Sequence, residues 1–197
     1  MARLLYQGHG SYRIVSHEQF VIYVDPFAGE EYDLPADLVL ITHEHSDHNH
    51  TELVNLKKGG KILRSKDMLV NGEYHSISIN GIDIEATPAY NHHHSIDECV
   101  GYLITVDQVK IYAAGDTSKT EFMSNRLAHE YLDYAILPTD GVYNMDEKEA
   151  SECAKIIGAK HSIPVHMIPG ALFSAKKAAD FSADGKIVLT PGKEILL

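Results

Sequence analysis

With 197 residues the chain is long enough for one well-buried core, and an apolar share of 44% with a charged share of 23% excludes fibrous and disordered classes. Its 28 acidic residues outnumber 17 basic ones, leaving a formal charge of −11 that repels phosphate backbones, so nucleic-acid binding is not expected. No apolar stretch approaches the ~20 residues a bilayer span requires and the N-terminal residues lack a signal-peptide pattern, so the expectation is a cytoplasmic protein with no membrane association.

Tyr12 to Ser16 and Phe20 to Val24 are β-rich runs joined at His17-Glu18-Gln19, a hairpin that ends at Asp25-Pro26. After a break at Leu34-Pro35, the apolar run Leu38 to Ile41 predicts a buried strand. It releases a loop reading Thr42-His43-Glu44-His45-Ser46-Asp47-His48-Asn49-His50. Thr51 to Lys57 predicts a short helix stopped by Gly59-Gly60, followed by strands at Lys61 to Arg64 and Tyr74 to Ile79. Asn80-Gly81 signals a type I′ hairpin, with Ile82 to Ala86 as the returning strand. That strand gives way to Thr87-Pro88 and then to Asn91-His92-His93-His94.

Val100 to Val106 and Val109 to Ala113 form a further hairpin about Asp107-Gln108, leading to Gly115-Asp116-Thr117. Its pattern echoes the first hairpin and hints at two related halves. Ser118 with Glu121 reads as a capping box for a helix to about Ala128. Asp146 with Glu149 starts a second helix whose Ala150, Cys153, Ala154 and Ile157 share one face, with Gly158 as its stop. Strands at Tyr134 to Leu137 and Ser162 to Val165 flank that helix, and the chain closes with a helix near Ser174 to Phe181, a strand at Lys186 to Leu189, a turn at Pro191-Gly192 and a last strand. Such alternation predicts a mixed α/β layered fold with helices outside, and no linker divides residues 1–197.

His43, His45, Asp47 and His48 carry the chemistry. In His-x-His-x-Asp-His, alternation by two points His43 and His45 the same way off an extended backbone, while Asp47 and His48 turn toward a second point. Neutral imidazole and carboxylate are good ligands for zinc and its divalent neighbours. Two such ions roughly 3.5–4 Å apart can share one water and lower its pKa toward about 7. An engineered histidine tag would be a homopolymeric run at a terminus, and this is an internal mixed motif directly after a strand. Three other strand exits carry metal-competent residues: the triple histidine after Pro88-Ala89, Asp116 after Ala114, and His166 after Val165. Cys99 and Cys153 stand alone, outside any Cys-x-x-Cys spacing, and read as small core residues.

These motifs resemble the metallo-β-lactamase superfamily over nearly the whole chain. Gly8-His9-Gly10-Ser11, Asp25-Pro26-Phe27, Gly115-Asp116-Thr117 and Ile163-Pro164-Val165-His166-Met167 resemble its branch of small hydrolases that includes ascorbate-6-phosphate lactonase. The resemblance implies a four-layer αββα sandwich with its site at one edge of two sheets. It implies one metal held by His43, His45 and a later histidine, a second held by Asp47, His48 and His166, and Asp116 between them. Counting back from Gly101-Tyr102 favours His94 as the later histidine, whereas counting forward from Pro88-Ala89 favours His92; His94 is the expected ligand.

The implied function is hydrolysis of a small ester, lactone, phosphoester or amide by a hydroxide activated at a dinuclear centre, most simply zinc, with manganese or iron also compatible with the ligands. Asp47 is a candidate for proton transfer, and His9 for a substrate contact or a donor behind the ligands. Thr139, Asp140 and Tyr143 follow a strand and are open to either a ligand-orienting or a structural role. Two rivals stand beside this reading: redox chemistry at two irons, which His45 disfavours because the oxygen-reducing relatives resemble His-x-Glu-x-Asp-His, and metal-stabilised binding without turnover. The expected partner is a small molecule, and both monomer and homo-oligomer are open.

Overall fold

The computed structural model describes residues 1–197. Strands β1 (Arg3–Gly8), β2 (Ser11–Val15), β3 (Val21–Val24), β4 (Ala36–Leu40) and β5 (Leu56–Leu63) come first, followed by one turn of helix, α1 (Ser65–Met68). A small ribbon, β6 (Leu69–Val70) with β7 (Glu73–Tyr74), leads to β8 (Ser76–Ile79), β9 (Ile82–Pro88), β10 (Val100–Val106) and β11 (Val109–Ala113). Then α2 (Glu121–Asn125), β12 (Tyr134–Pro138), α3 (Glu147–Ile157), β13 (His161–Val165), α4 (Ala175–Asp180) and β14 (Lys193–Leu196) complete the order.

Two six-stranded sheets result, ordered β14-β1-β2-β3-β4-β5 and β13-β12-β11-β10-β9-β8. The hint of two halves has a structural counterpart. β2 and β3 pair antiparallel and β3 continues into parallel β4 and β5, as β10 and β11 pair antiparallel and β11 continues into parallel β12 and β13. Both hairpins turn at the same end, where the His17 amide donates to Asp107 Oδ2 at 2.6 Å.

Inward-facing side chains of both sheets form a core of 26 buried residues, among them Leu4, Ile14, Ile22, Leu40, Ile84, Tyr102, Ile104 and Ile163. On the outer face of the second sheet, Tyr112, Ala135 and Leu137 pack against the apolar stripe of α3 and Met123 of α2. The stripe is the predicted one, with Ala150, Cys153, Ala154 and Ile157 all buried, and Gly158 ends the helix in a left-handed conformation at φ +66°. On the outer face of the first sheet the cover is thinner: Tyr32, Leu34 and Val54 from the connections pack on Tyr23, Val39 and Ile41. The architecture is mixed α/β, with two stacked sheets and few helices.

Three local expectations are corrected. Thr51 to Lys57 is not a helix: a 3-10 turn ends at Leu53 and β5 begins at Leu56. Gly59-Gly60 therefore lies inside a strand, where a Cβ on Gly60 would stand 2.6 Å from the Ala36 carbonyl and the register with β4 shifts. Ser118 does not cap α2, because its amide and carbonyl are committed to Tyr90 and Thr117, so the helix starts at Glu121 after Thr120. Lys186 to Leu189 makes one isolated bridge to Ser162 instead of a strand, with the Lys186 ammonium donating to the carbonyls at the end of α4.

Asp146 Oδ1 accepts from the Glu149 amide at 2.8 Å and caps α3. Asp146→Ala should destabilise the protein by about 1 kcal/mol in a denaturant titration.

Candidate metal centre

Parallel neighbours end at the same edge of a sheet, and here that edge collects every motif the sequence marked. β3 and β4 release Asp25 and the Thr42–His50 loop; β11, β12 and β13 release Asp116, Asp140 and His166. The loop after β9 brings His94, and the turn between β1 and β2 brings His9. The Val100 amide donates to the Thr42 carbonyl and the Tyr102 hydroxyl to the Ile41 carbonyl, tying the two sheets together beside the loop. Three non-glycine residues of this edge hold positive φ: His9 at 55°, Asp25 at 45° and His166 at 43°. Each costs on the order of 1–3 kcal/mol, a strain that persists only where surrounding packing imposes it.

All seven expected ligands meet. His43, His45 and His94 offer ring nitrogens within 4.8 Å of one another; His43 and His48 nitrogens with an Asp116 oxygen, and His9, His48 and His166 nitrogens with an Asp47 oxygen, do the same. Asp116 lies among the histidines: its Oδ2 is 3.3 Å from His94 Nε2 and 3.4 Å from His166 Nε2, and its Oδ1 is 3.4 Å from His48 Nε2. Of the triple histidine only His94 turns inward, while His92 and His93 are exposed. His45 and Asp47 face the solvent side, and His43, His48, His94, Asp116 and His166 are buried.

What lies behind the histidines fixes which nitrogen is free. Asp25, buried, accepts from the Thr42 amide at 2.8 Å, from the Thr42 hydroxyl at 2.6 Å and from His48 Nδ1 at 2.9 Å. With its proton given to Asp25, the Thr42 oxygen accepts from His43 Nδ1 at 3.0 Å. Asn91 Oδ1 accepts from His94 Nδ1 at 2.9 Å, and Asp140 Oδ2 lies 3.0 Å from His166 Nδ1. These partners leave Nε2 of His43 and His94, and of His48 once it sheds its extra proton, as lone pairs aimed inward. Nε2 of His43, His48 and His166 is buried with no hydrogen-bond partner. Orphaned buried nitrogens are costly, and a divalent metal is the partner that this nitrogen and carboxylate set fits.

Electrostatics agree. Burial, reinforced by neighbouring imidazoles, pushes His43 down to about 2, so its ring stays neutral. Burial also pushes His45 down. At Asp116 burial favours the protonated form, but His48 and His166 outweigh it and hold the carboxyl well below the usual range. Without a metal the reciprocal effect at His166 raises it to about 9: Asp116, Asp140 and Asp47 overcome the desolvation.

His9 is fully buried, with Nε2 3.2 Å from Asp47 Oδ2 and Nδ1 3.2 Å from the Ala171 carbonyl, so it stands behind Asp47 and not in the open cleft. Asp140 stands directly behind His166, whereas the Thr139 hydroxyl bonds the Val165 carbonyl within the fold. Asp25 and Asn91 were missed as site residues. Asp25 had the signal used for Asp116, an acid ending a β-rich run, while nothing distinguished Asn91 from an ordinary turn residue. Cys99 and Cys153 are buried free thiols raised to about 12 by desolvation, as core residues should be.

A family model described as a beta-lactamase superfamily domain matches residues 3–166. The chain belongs to the metallo-β-lactamase superfamily. It is 31% identical to a UPF0173 metal-dependent hydrolase of Thermococcus onnurineus, covering 84% of each chain, and 33% identical to one of Methanoculleus marisnigri, covering 83% of this chain and 80% of that one. The structure of Igni18, a metallo hydrolase from Ignicoccus hospitalis, superposes with a TM-score of 0.74 at 23% identity over 98% of this chain and 97% of that one, a likeness of fold. This superfamily member is thus a metal-dependent hydrolase, and no helix in it is long and apolar enough to cross a membrane.

His94→Ala should lose bound metal in elemental analysis, while His92→Ala and His93→Ala retain the full content. Asp25→Ala, which touches no metal, should weaken metal affinity by roughly 10–100-fold in a competition titration with a chromophoric chelator.

Proposed function

We propose that this hydrolase works with two divalent ions, zinc in the first instance, on a small ester, lactone, phosphoester or amide. The observation that carries the reading is the position of Asp116, a buried carboxylate within 3.4 Å of Nε2 of His94 in one ligand set and of His48 and His166 in the other. His43, His45 and His94 would hold one ion and Asp47, His48 and His166 the other, with Asp116 common to both. A shared carboxylate offsets the repulsion of two close cations, and the all-histidine set leaves a coordination position open.

When bound, the pair of ions would supply Lewis acidity and a water acidic enough to attack near neutral pH. Every other part is played by side chains of this chain. Asp25, Asn91 and Asp140 keep the histidine rings in one orientation, so geometry does not have to be found anew in each turnover. Asp47, partly exposed at the mouth with Oδ2 3.6 Å from His166 Nε2, would help hold the second ion and would take up a proton released by the water there. His9 Nε2, 3.2 Å behind that oxygen, holds the carboxylate in place and is itself anchored on the Ala171 carbonyl. A cleft of about 510 Å³ opens on His45, Asp47, His94 and Asp116, within the size range of small-molecule sites, which supports a small substrate.

Dialysis against a chelator should abolish hydrolysis across a panel of generic esters, lactones and phosphodiesters, and added zinc should restore it. Activity indifferent to metal removal would overturn the reading. In the metal-free protein His48 is raised well above its ordinary value and His166 to about 9, so both carry protons at pH 7. Adding zinc at that pH should therefore release protons into a weakly buffered indicator solution, and His48→Ala should diminish the release.

A further inference from the structure

The cleft over the metal edge has a chemically mixed lining. One part of the lining is the ligands, His45, Asp47, His94 and Asp116; the rest is Phe27, Tyr143, Pro169 and Gly170, with Ser46 and the titratable imidazole of His93 beside Tyr143. Neither lysine nor arginine lines it. Next in the chain to lining residues, Val142 is 57% exposed and Ile168 38%, and Tyr143 itself is 46% exposed. Exposed apolar side chains gathered around a polar site mark a binding surface.

The two aromatic residues are not loosely attached. Asp140 Oδ1 accepts from the Tyr143 amide at 2.7 Å, and Asn91 Nδ2 donates to the Tyr143 carbonyl at 2.9 Å. Those are the same residues that stand behind His166 and His94. Phe27 follows Asp25 by two positions, and Asp25 stands behind His48. The Tyr143 backbone is therefore held by residues that also stand behind ligand histidines, while the Phe27 amide donates to the Tyr32 hydroxyl at 3.3 Å and its ring packs against His9 and His50.

We propose that Phe27 and Tyr143 are specificity-determining walls of a subsite for an uncharged aryl or alkyl group, and that the substrate is a neutral lactone or ester carrying such a group beside the bond cut. This rests on the hydrolase reading above and narrows it. A ring placed between Phe27 and Tyr143 buries apolar surface and meets aromatic faces. A phosphate on the same arm would leave water for an apolar wall with no guanidinium or ammonium to pair it. The formal charge of −11 adds a repulsive field against dianions approaching the cleft.

The test uses the zinc-loaded full chain with γ-phenyl-γ-butyrolactone, γ-butyrolactone and 6-phosphoglucono-δ-lactone, comparing kcat/KM. The phenyl lactone should be best and the phosphorylated lactone worst. Phe27→Ala and Tyr143→Ala should each cut the preference for the phenyl over the unsubstituted lactone by roughly tenfold, with metal content unchanged. Tyr143→Phe, which keeps the ring, should retain that preference. A preference for the phosphorylated lactone, or a phenyl preference untouched by Tyr143→Ala in metal-replete protein, overturns this inference and leaves the hydrolase standing. No turnover of any of the three, nor of the wider panel, by metal-replete protein overturns the hydrolase reading and this inference with it.

Discussion

Imidazole nitrogens do not remain buried and unpaired without something to bind. Nε2 of His43, His48 and His166 is in that condition beside a buried carboxylate, Asp116, and the fold is arranged to keep it so. An unsatisfied polar group of this kind costs on the order of 1–3 kcal/mol. Three such groups, together with left-handed residues at His9, Asp25 and His166, make the edge a place of concentrated local cost. The 26-residue core between the sheets lies directly below and offsets that cost.

Chain direction explains how residues from His9 to His166 arrive at one place. In each half an antiparallel pair is followed by parallel strands, so the strand ends that carry ligands all point one way. Each half also contributes a carboxylate that takes no place among the ligands: Asp25 after β3 and Asp140 after β12. The resemblance between the halves, faint in the hairpins, is plainer in this division of labour. One acid on each side aligns the rings, and Asp116 sits between them.

Much of this was legible in the residues. Strand exits were readable because an apolar run followed at once by His or Asp is rare unless the polar group has a task. The I′ turn at Asn80-Gly81 and the start and stop of α3 were readable because their residue types answer strict backbone demands, with φ positive at both turn positions. Residues 51–57 were misread because Gly59-Gly60, ordinarily a stop, serves here as an irregularity within a strand that passes too close to Ala36 for any side chain on Gly60. Ser118 was misread because its local capping pattern lost to a long-range partner, Tyr90. Asn91 gave no warning, since its importance lies wholly in reaching both His94 and Tyr143 once the chain has folded.

The contact between His17 and Asp107 at the far end of the sandwich has a bearing on how such a molecule can change. With the hairpin tips fastened there and the Thr42 loop bonded to Val100 at the other end, the sheets have little freedom to splay. The width of the mouth is thus governed by the connections that carry Phe27, Tyr143 and Pro169. Descent with new preferences could proceed by editing those connections alone, while the frame that holds the metal-binding residues is inherited intact.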